Sequence, residues 1–229
     1  MRICIAGANA GLGLVLSRLA AGKGHSVYAG ARGEFSHELA RAARELRGLE
    51  ILELDVTDEG QAEKAARRIA DDGGALDAVI VTAGILPQSD KESDLTDIDI
   101  ADLRRTLDVN AVGSAVMAKY FHGLLKDGGL FVFVTSEAGS MTNSGARYPG
   151  YSVSKSAQNK LAFVLAKTVS RFTVYALHPG RMNTEMGREN AQIEPEESAA
   201  GILRILSGEK KPGAESGAFI DYRGEPMDI

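Results

Sequence analysis

Short apolar runs alternate with longer amphipathic segments along the chain. Several of the runs are almost continuously apolar, which is typical of parallel strands covered on both faces of a sheet. A sheet of this kind needs helices between its strands, and the alternation supplies them. The pattern predicts strands at 2–6, 26–31, 50–54, 78–82, 130–135, 173–178 and 218–222.

The segments between these runs repeat their apolar residues at helical spacing. Asp58 and Gln61 resemble a capping box at the start of the third segment. Helices are predicted at 12–23, 36–46, 59–71, 100–112 with a continuation towards Leu125, 151–170 and 195–206. Regular strand–helix alternation predicts an α/β fold, a doubly wound parallel sheet of about seven strands with helices on both faces.

The domain organisation follows from length and composition. The chain has 229 residues, of which 44% are hydrophobic, and shows no repeat, low-complexity tract or linker. We therefore expect one domain over residues 1–229. Ligands of such folds sit beyond the carboxyl ends of the strands. The loops near 87–102, 137–150 and 181–194 are the substrate-facing candidates.

Charge and cysteine content narrow the function. The net charge is −5 and the basic residues are scattered, so a nucleic-acid surface is not expected. Cys4 stands alone in an apolar run and reads as a small buried residue. No signal peptide opens the chain and no stretch is long enough to span a bilayer, so no membrane partner and a cytoplasmic location are expected.

A glycine-rich turn follows the first predicted strand and opens the first helix. Its residues are Gly7, Ala8, Asn9, Ala10, Gly11, Leu12 and Gly13. Glycines let the backbone approach a pyrophosphate, and the helix N-terminus offers free N–H groups and a positive dipole. The strand before and the helix after make a dinucleotide cofactor the best reading, against the alternative of a plain tight turn.

The second and third strands indicate which dinucleotide. Arg32 stands at the end of the second strand, where NAD-selective sites usually place a carboxylate. Arg32 therefore favours NADP, although NAD stays open if Glu34 reaches the ribose instead. Asp55 and Val56 follow the third strand and are placed to border the adenine ring, unless Asp55 is an ordinary turn residue.

Tyr151 and Lys155 form the most telling pair in the chain. Residues at i and i+4 lie on one face of a helix. A cation near a phenol lowers its pKa, which favours proton transfer near neutral pH. Tyr148 has Ser152 at the same spacing, so it lacks this partner. The pair predicts a tyrosine that handles a proton beside a nicotinamide cofactor.

Other chemistries find no support in the chain. His25, His37, His122 and His178 show no metal-ligand spacing, so no metal site is expected. There is no Gly-x-Ser-x-Gly elbow and no Gly-Lys-Ser/Thr ending of a P-loop.

These pieces resemble the short-chain dehydrogenase/reductase family, a Rossmann-type fold, over nearly the whole chain. The match rests on the glycine turn, Asp55-Val56, Thr82-Ala83-Gly84, Asn110, Ser136, Tyr151/Lys155, Pro179-Gly180 and Thr184. The C-terminal run from Ser216 is similar to the subgroup of small carbonyl reductases and C-factor-like proteins. Two features depart from the family: Thr82 replaces an asparagine, and the interval from serine to tyrosine is slightly long.

The resemblance implies a role for each matching residue. Tyr151 is the acid/base, Lys155 tunes it and binds the nicotinamide ribose, and Asn110 holds a water that relays protons. Ser136 polarises the carbonyl, with Ser140 as the rival serine. Further cofactor contacts are implied for Ala83, Gly84, Pro179, Gly180, Met182 and Thr184.

The sequence thus predicts an NADP(H)-dependent oxidoreductase that interconverts a carbonyl and an alcohol on a small molecule. The alternatives are an NAD-dependent or epimerase-type member of the family, or a dinucleotide-binding sensor or signalling protein without turnover. Family members commonly associate through the helical segments that correspond to 111–125 and 152–169 here. A homodimer or homotetramer is therefore expected.

Overall fold

The computed structural model describes residues 1–188 and 191–229 of the chain. The strands of this part are β1 Arg2–Ala6, β2 Ser26–Ala31, β3 Leu49–Glu53, β4 Leu76–Val81, β5 Leu125–Val134, β6 Thr173–His178 and β7 Phe219–Asp221. They form one sheet in the order β3-β2-β1-β4-β5-β6-β7, and every neighbouring pair is parallel. The order reverses between β1 and β4, so the predicted doubly wound sheet is confirmed.

Helices cover both faces of the sheet. They are α1 Gly11–Gly22, α2 His37–Glu45, α3 Glu59–Asp71, α4 Gln88–Glu92, α5 Ile100–Leu107, α6 Gly113–Phe121, α7 Pro149–Thr168 and α8 Pro195–Leu206. None of the helices that the structure describes combines the length and apolar character needed to cross a bilayer.

The sheet has a separate apolar core on each face, because successive strand residues point to opposite sides. In β1, Ile3 and Ile5 join α1, α2 and α8 in one core. Cys4 and Ala6 join α3, α6 and α7 in the other. Cys4 is fully buried, as predicted, and burial raises the pKa of its thiol to about 12, which makes the thiol unreactive.

The predicted long helix from 100 towards Leu125 is interrupted. A π-helical turn at Asp108–Val112 separates α5 from α6, and β5 already begins at Leu125. The apolar run had placed this strand at 130–135, because Lys126, Asp127 and Gly128 break the pattern while still belonging to the strand. A register shift between Leu76 and Ala78 accompanies the early start.

The predicted loop at 87–102 is also only partly correct. It contains the short helix α4, whose five residues are all polar and too few to show a helical period. α5 begins at Ile100, inside the same range. The loop at 137–150 likewise contains a 3₁₀ turn at Glu137–Gly139 and the first residues of α7. Pro149 opens that helix, a position where its missing N–H has no consequence.

Candidate active site

The turn between β1 and α1 requires glycine for two different reasons. Gly7 has φ of +94°, and a Cβ there would lie 2.5 Å from the Ala83 nitrogen. A Cβ on Gly13 would lie 2.2 Å from the Gly7 carbonyl oxygen. Gly11, by contrast, has φ of +51°, and a Cβ there would meet only Thr184 Cγ2, at an ordinary contact distance of 3.8 Å. Gly7 and Gly13 therefore hold the turn together, while Gly11 leaves its backbone accessible.

The N-terminus of α1 lacks side-chain capping. Ala10 is the N-cap residue and offers no acceptor, and no acidic residue lies in the first turn. The amides of a first helical turn have no partners within the helix. Free N–H groups, the helix dipole and the accessible Gly11 together make a site for a phosphate group.

Asn9 ties the glycine turn to the segment after β2. Its Nδ2 donates to the Glu34 carbonyl oxygen at 3.0 Å, and its Oδ1 accepts from the Ser36 nitrogen at 2.7 Å. Arg32 and Glu34 lie on this segment with exposed side chains. Among the described residues the Arg32 guanidinium forms no ion pair. Arg32 is thus available to an anion beside the turn.

Asp55 and Val56, shortly after β3, differ in the groups that they present to a ligand. Asp55 Oδ1 accepts from the backbone nitrogen and the hydroxyl of Thr57, at 2.9 and 2.8 Å, which makes a local turn. Val56 is almost wholly buried in the core and packs where α6 begins. Only its backbone can face a ligand. The predicted capping pair is half formed: Asp58 accepts from the Gln61 nitrogen, but the Gln61 side chain binds the Asp55 nitrogen.

Thr82 joins the end of β4 to the glycine turn. Its hydroxyl lies 2.8 Å from the Ala6 carbonyl oxygen and 3.2 Å from that of Gly7. The hydroxyl therefore fixes the turn directly at the place where the family usually has an asparagine. Two residues further, Gly84 lies against the Asn110 amide and the Lys155 amine: a Cβ there would be 3.3 and 3.4 Å from them.

Asn110 occupies the π-helical turn, and its side chain is fully engaged. Its Oδ1 accepts from the Ile85 nitrogen at 2.8 Å. Its Nδ2 donates to the Ile85 carbonyl oxygen at 3.0 Å and to the Ser154 hydroxyl at 2.9 Å. The side chain thus fastens the segment after β4 to α7. The predicted water next to Asn110 stays a prediction.

A buried carboxylate holds the start of α7. Asp90, on α4, accepts from the nitrogens of Gly150 and Tyr151, each at 2.8 Å. The preceding Tyr148 is the only non-glycine residue with positive φ in the described chain, and it supplies no side-chain cap. Asp90 performs that function from 60 residues away, and no sequence pattern points to it.

Tyr151 lies partly buried in a cavity of about 310 Å³, beside Ser136. Burial raises the pKa of its phenol to about 12, and a hydrogen bond with Ser136 lowers it by a smaller amount. The predicted downward shift from Lys155 is therefore wrong for this arrangement. The reason lies in the lysine, whose amine is directed elsewhere.

Lys155 is buried and held by neutral acceptors. Its Nζ donates to the Val134 carbonyl oxygen at 3.0 Å and to Gln158 Oε1 at 2.8 Å. Nζ also lies 5.5 Å from the centre of the Tyr151 ring. Burial lowers the pKa of the amine to about 7, so it is only partly charged at neutral pH.

Gln158 connects Lys155 to the π-helical turn. Its Nε2 donates to the Ser114 hydroxyl at 2.8 Å, which in turn donates to the Asn110 carbonyl oxygen at 2.7 Å. Gln158, Ser114 and Asn110 are all buried. The direction of these hydrogen bonds requires that the amide oxygen of Gln158 face Lys155. The only available signal was the i+3 spacing from the lysine.

The two candidate serines have different surroundings. Ser136 lines the cavity with Tyr151. Ser140 is buried, and its hydroxyl accepts from the nitrogens of Thr142 and Asn143 at 3.1 and 2.9 Å. The Ser136 hydroxyl also accepts from a backbone nitrogen, that of Ala138 at 3.1 Å, but of the two serines only Ser136 lines the cavity, so the geometry favours Ser136 for chemistry.

The segment after β6 forms the opposite wall. His178, Pro179, Gly180, Met182 and Thr184 all line the cavity. Gly180 has φ of +82° and packs against Ile193 and Tyr222. Burial lowers the pKa of His178, whose Nδ1 accepts from the Glu137 nitrogen at 3.1 Å, so this histidine is a neutral structural residue.

The predicted loop at 181–194 includes Glu189 and Asn190, which lie outside the described residues. Its described part begins at Arg181, which forms an ion pair with Glu137 across the cavity wall. Within residues 1–188 and 191–229, no group of three histidine, cysteine or acidic side chains could hold a metal ion.

The carboxyl ends of β1, β4, β5 and β6 thus bring the predicted residues to one edge of the sheet. Tyr151, Lys155 and Ser136 lie together beside the cavity. The Asn110 amide lies against Gly84 and anchors the helix that carries Tyr151 and Lys155. The glycine turn and Arg32 lie at the β1–β2 side of the same edge. The arrangement can hold a dinucleotide with its reactive end beside a phenol.

Comparison with known proteins identifies a family and several relatives of this chain. The short chain dehydrogenase family profile matches residues 1–195. The 1-hydroxy-2-glutathionyl-2-methyl-3-butene dehydrogenase of Rhodococcus sp. (strain AD45) is 30% identical over 161 residues, 67% of this chain and 69% of that protein. The C-signal protein of Myxococcus xanthus is 32% identical over 157 residues, 66% of this chain and 91% of that protein.

A solved structure extends the likeness to the whole chain. A carbonyl reductase from Pseudomonas aeruginosa PAO1 in complex with NADP has a TM-score of 0.82 and 27% identity. The match covers 100% of both chains.

Proposed function

Because the chain belongs to the short-chain dehydrogenase/reductase family of oxidoreductases, we propose that it interconverts a carbonyl and an alcohol with NADP(H). Tyr151 transfers the proton in this proposal. The observation that carries it is that Tyr151 and Ser136 line one cavity, with the Lys155 amine 5.5 Å from the centre of the Tyr151 ring, at the sheet edge that also bears the glycine turn. A sensor that only binds a dinucleotide would not need a proton-transfer group.

The residues present fit a dinucleotide. The uncapped amides of α1 and the accessible Gly11 suit a pyrophosphate. At the other end, the Thr135 hydroxyl is buried beside the cavity and has no partner among the described residues, so it can bind a polar group of the cofactor. When bound, the nicotinamide supplies or accepts the hydride.

NADP is the proposed form of the cofactor. Arg32 is exposed beside the glycine turn and free of ion pairs in the described part of the chain. A guanidinium pairs well with a phosphate, and an arginine at this strand end accommodates a 2′-phosphate. The NADP complex of the related Pseudomonas aeruginosa carbonyl reductase supports the same choice.

The protonation states suit reduction. A Tyr151 pKa of about 12 keeps the phenol protonated near neutral pH, which is the form that donates to a carbonyl oxygen. Ser136 lies next to Tyr151, so its hydroxyl can donate a second hydrogen bond to that oxygen. Lys155 compensates the phenolate that forms, to the extent that it is charged.

The test is a steady-state assay of cofactor oxidation. NADPH and NADH are each supplied with a panel of ketones, aldehydes and quinones, and alcohol formation is measured. We expect turnover of at least one class with a clear preference for NADPH. Equal use of NADH would contradict the cofactor assignment, and tight binding without turnover would contradict the proposed reaction.

The similarity to C-signal favours a second candidate, a signalling protein that binds a dinucleotide without turning it over. The same assay separates the two. Calorimetry that shows NADPH binding, together with no product from any of the carbonyl classes, would support signalling.

We also propose a homodimer or homotetramer formed through α7 and its neighbours. Val153 and Val164 are about half exposed on α7, and Phe163 is nearly as exposed. Leu165, the residue after Val164, packs on the core instead. Light scattering at micromolar concentration should show the oligomer, and a monomer there would reject it.

A further inference from the structure

The charged residues around the cavity carry a net positive charge. The residues that line the cavity include Lys91, Glu137, Arg147 and Arg181. Glu137 and Arg181 pair with each other, Nε to Oε1 at 2.5 Å. Neither Lys91 nor Arg147 has an acidic partner among the described residues. Two cations are thus left on the wall of one cavity, in a chain whose net charge is −5.

Both cations come from segments that meet the start of α7, the helix that carries Tyr151. Lys91 follows Asp90, whose carboxylate binds the Gly150 and Tyr151 nitrogens. Arg147 lies just before α7, and its guanidinium carbon is 4.9 Å from the centre of the Tyr148 ring. They come from α4 and from the loop before α7. The start of α7 therefore has a cation on each of two neighbouring elements, away from the glycine turn.

The two side chains are held in different ways. Lys91 is partly buried, which limits its hydration and strengthens its attraction for an anion. Arg147 is more exposed, but stacking on Tyr148 restricts its guanidinium. Such a planar group binds a carboxylate through two parallel hydrogen bonds.

The rest of the lining is largely apolar. Leu86, Ala138, Met182 and Met186 contribute hydrocarbon or thioether surface. A ligand that fills the cavity therefore needs an apolar body, a carbonyl oxygen near Tyr151 and a negative group near Lys91 and Arg147.

We propose that the substrate is a carbonyl compound that also carries a carboxylate, and that Lys91 and Arg147 bind that carboxylate. The inference rests on the proposed carbonyl reduction and specifies its substrate class. The net positive wall also raises the local concentration of an anionic substrate.

The test compares an acid with its neutral ester. 4-Acetylbenzoate and its methyl ester have the same ketone and nearly the same shape, and differ in charge. We expect kcat/KM for the acid to exceed that for the ester by roughly tenfold to a hundredfold, as for a charge-assisted hydrogen bond. In Lys91→Gln/Arg147→Gln the ratio should fall towards one. Lys64→Gln/Arg44→Gln, at exposed positions of α3 and α2, removes the same two charges elsewhere and should keep the ratio.

A binding measurement separates this inference from the proposed function. Calorimetry of the acid and the ester with the NADPH-loaded protein does not require turnover. Tighter binding of the acid that disappears in the double variant supports the inference, even if neither compound is reduced. Equal affinity for acid and ester, absent binding of both, or a ratio that the double variant leaves unchanged overturns it, even if NADPH-dependent reduction of neutral ketones is found.

Discussion

The glycine turn after β1 and the start of α7 differ in how far apart in the sequence their stabilising contacts lie. The turn is specified mainly by residues close in sequence: Gly7 and Gly13 pack against each other because nothing larger fits, and Thr82 after β4 adds the contacts of a single hydroxyl. The start of α7 is specified by distant residues, since Asp90, Asn110 and Ser136 reach it from three other segments. We therefore expect cofactor binding and proton transfer to be separable by mutation.

Tyr151→Phe should abolish proton transfer and leave the glycine turn and its cofactor binding intact. The ring keeps its packing but loses the transferable proton. We expect turnover to fall by at least ~10²–10⁴-fold, the range typical of losing an acid/base, with NADPH affinity unchanged. Steady-state rates and fluorescence titration of NADPH measure the two quantities. Appreciable turnover in this variant would sink the proposed mechanism.

Lys155→Met should impair both proton transfer and cofactor binding. The amine lies near the Tyr151 ring and is expected to bind the nicotinamide ribose as well. Both turnover and NADPH affinity should fall, unlike in Tyr151→Phe. The same two measurements apply. Unchanged NADPH affinity would mean that Lys155 acts in proton transfer and not in cofactor binding.

Gly13→Ala should break the turn. The new methyl group would lie 2.2 Å from the Gly7 carbonyl oxygen and 2.6 Å from the Thr82 hydroxyl oxygen. Overpacking of this kind costs about 1–3 kcal/mol of unfolding free energy, and the displaced turn should weaken NADPH binding as well. Urea unfolding and NADPH titration test it. Gly22→Ala, also in α1 but with nothing within 4 Å, is the control and should preserve both.

Arg32→Asp should change the choice of cofactor without touching the turn. Loss of a charge-assisted contact to phosphate costs on the order of 1.5–3 kcal/mol. That corresponds to roughly tenfold to a hundredfold in NADPH affinity, with NADH gaining relative to it. Dissociation constants for both cofactors decide it. If the unmodified protein already binds NAD as tightly as NADP, Arg32 has another role.

Ser136→Ala should give the smallest effect. A neutral hydrogen bond contributes about 0.5–1.5 kcal/mol, so turnover should fall up to roughly tenfold with little change in NADPH affinity. Ser140→Ala is the matched comparison. It should lower the melting temperature, because the Thr142 and Asn143 nitrogens lose their acceptor, and reduce kcat less. A larger kcat loss in Ser140→Ala would reverse the serine assignment.

The contrast between the two regions also explains what the sequence could predict. The sheet, the glycine turn and the Tyr151/Lys155 pair follow from periodicities and spacings within single segments. The contacts of Asp90 and Gln158 depend on how α4 and α7 pack, and α4 itself is too short and polar to show a pattern. The pKa of the phenol is shifted upward, against the prediction, because burial dominates and the Lys155 amine donates to Val134 and Gln158 instead of to the phenol.

The reach of Asp90 across to α7 has a consequence for engineering. Redesign of substrate preference would naturally begin with the segment at 87–102, which follows Leu86 and supplies Lys91 to the cavity wall. The same segment carries the carboxylate that fixes the Tyr151 backbone. A transplanted loop without an acid at this position would alter selectivity and misplace the tyrosine together. In this chain, substrate selectivity and turnover rate can be changed independently only in variants that keep Asp90.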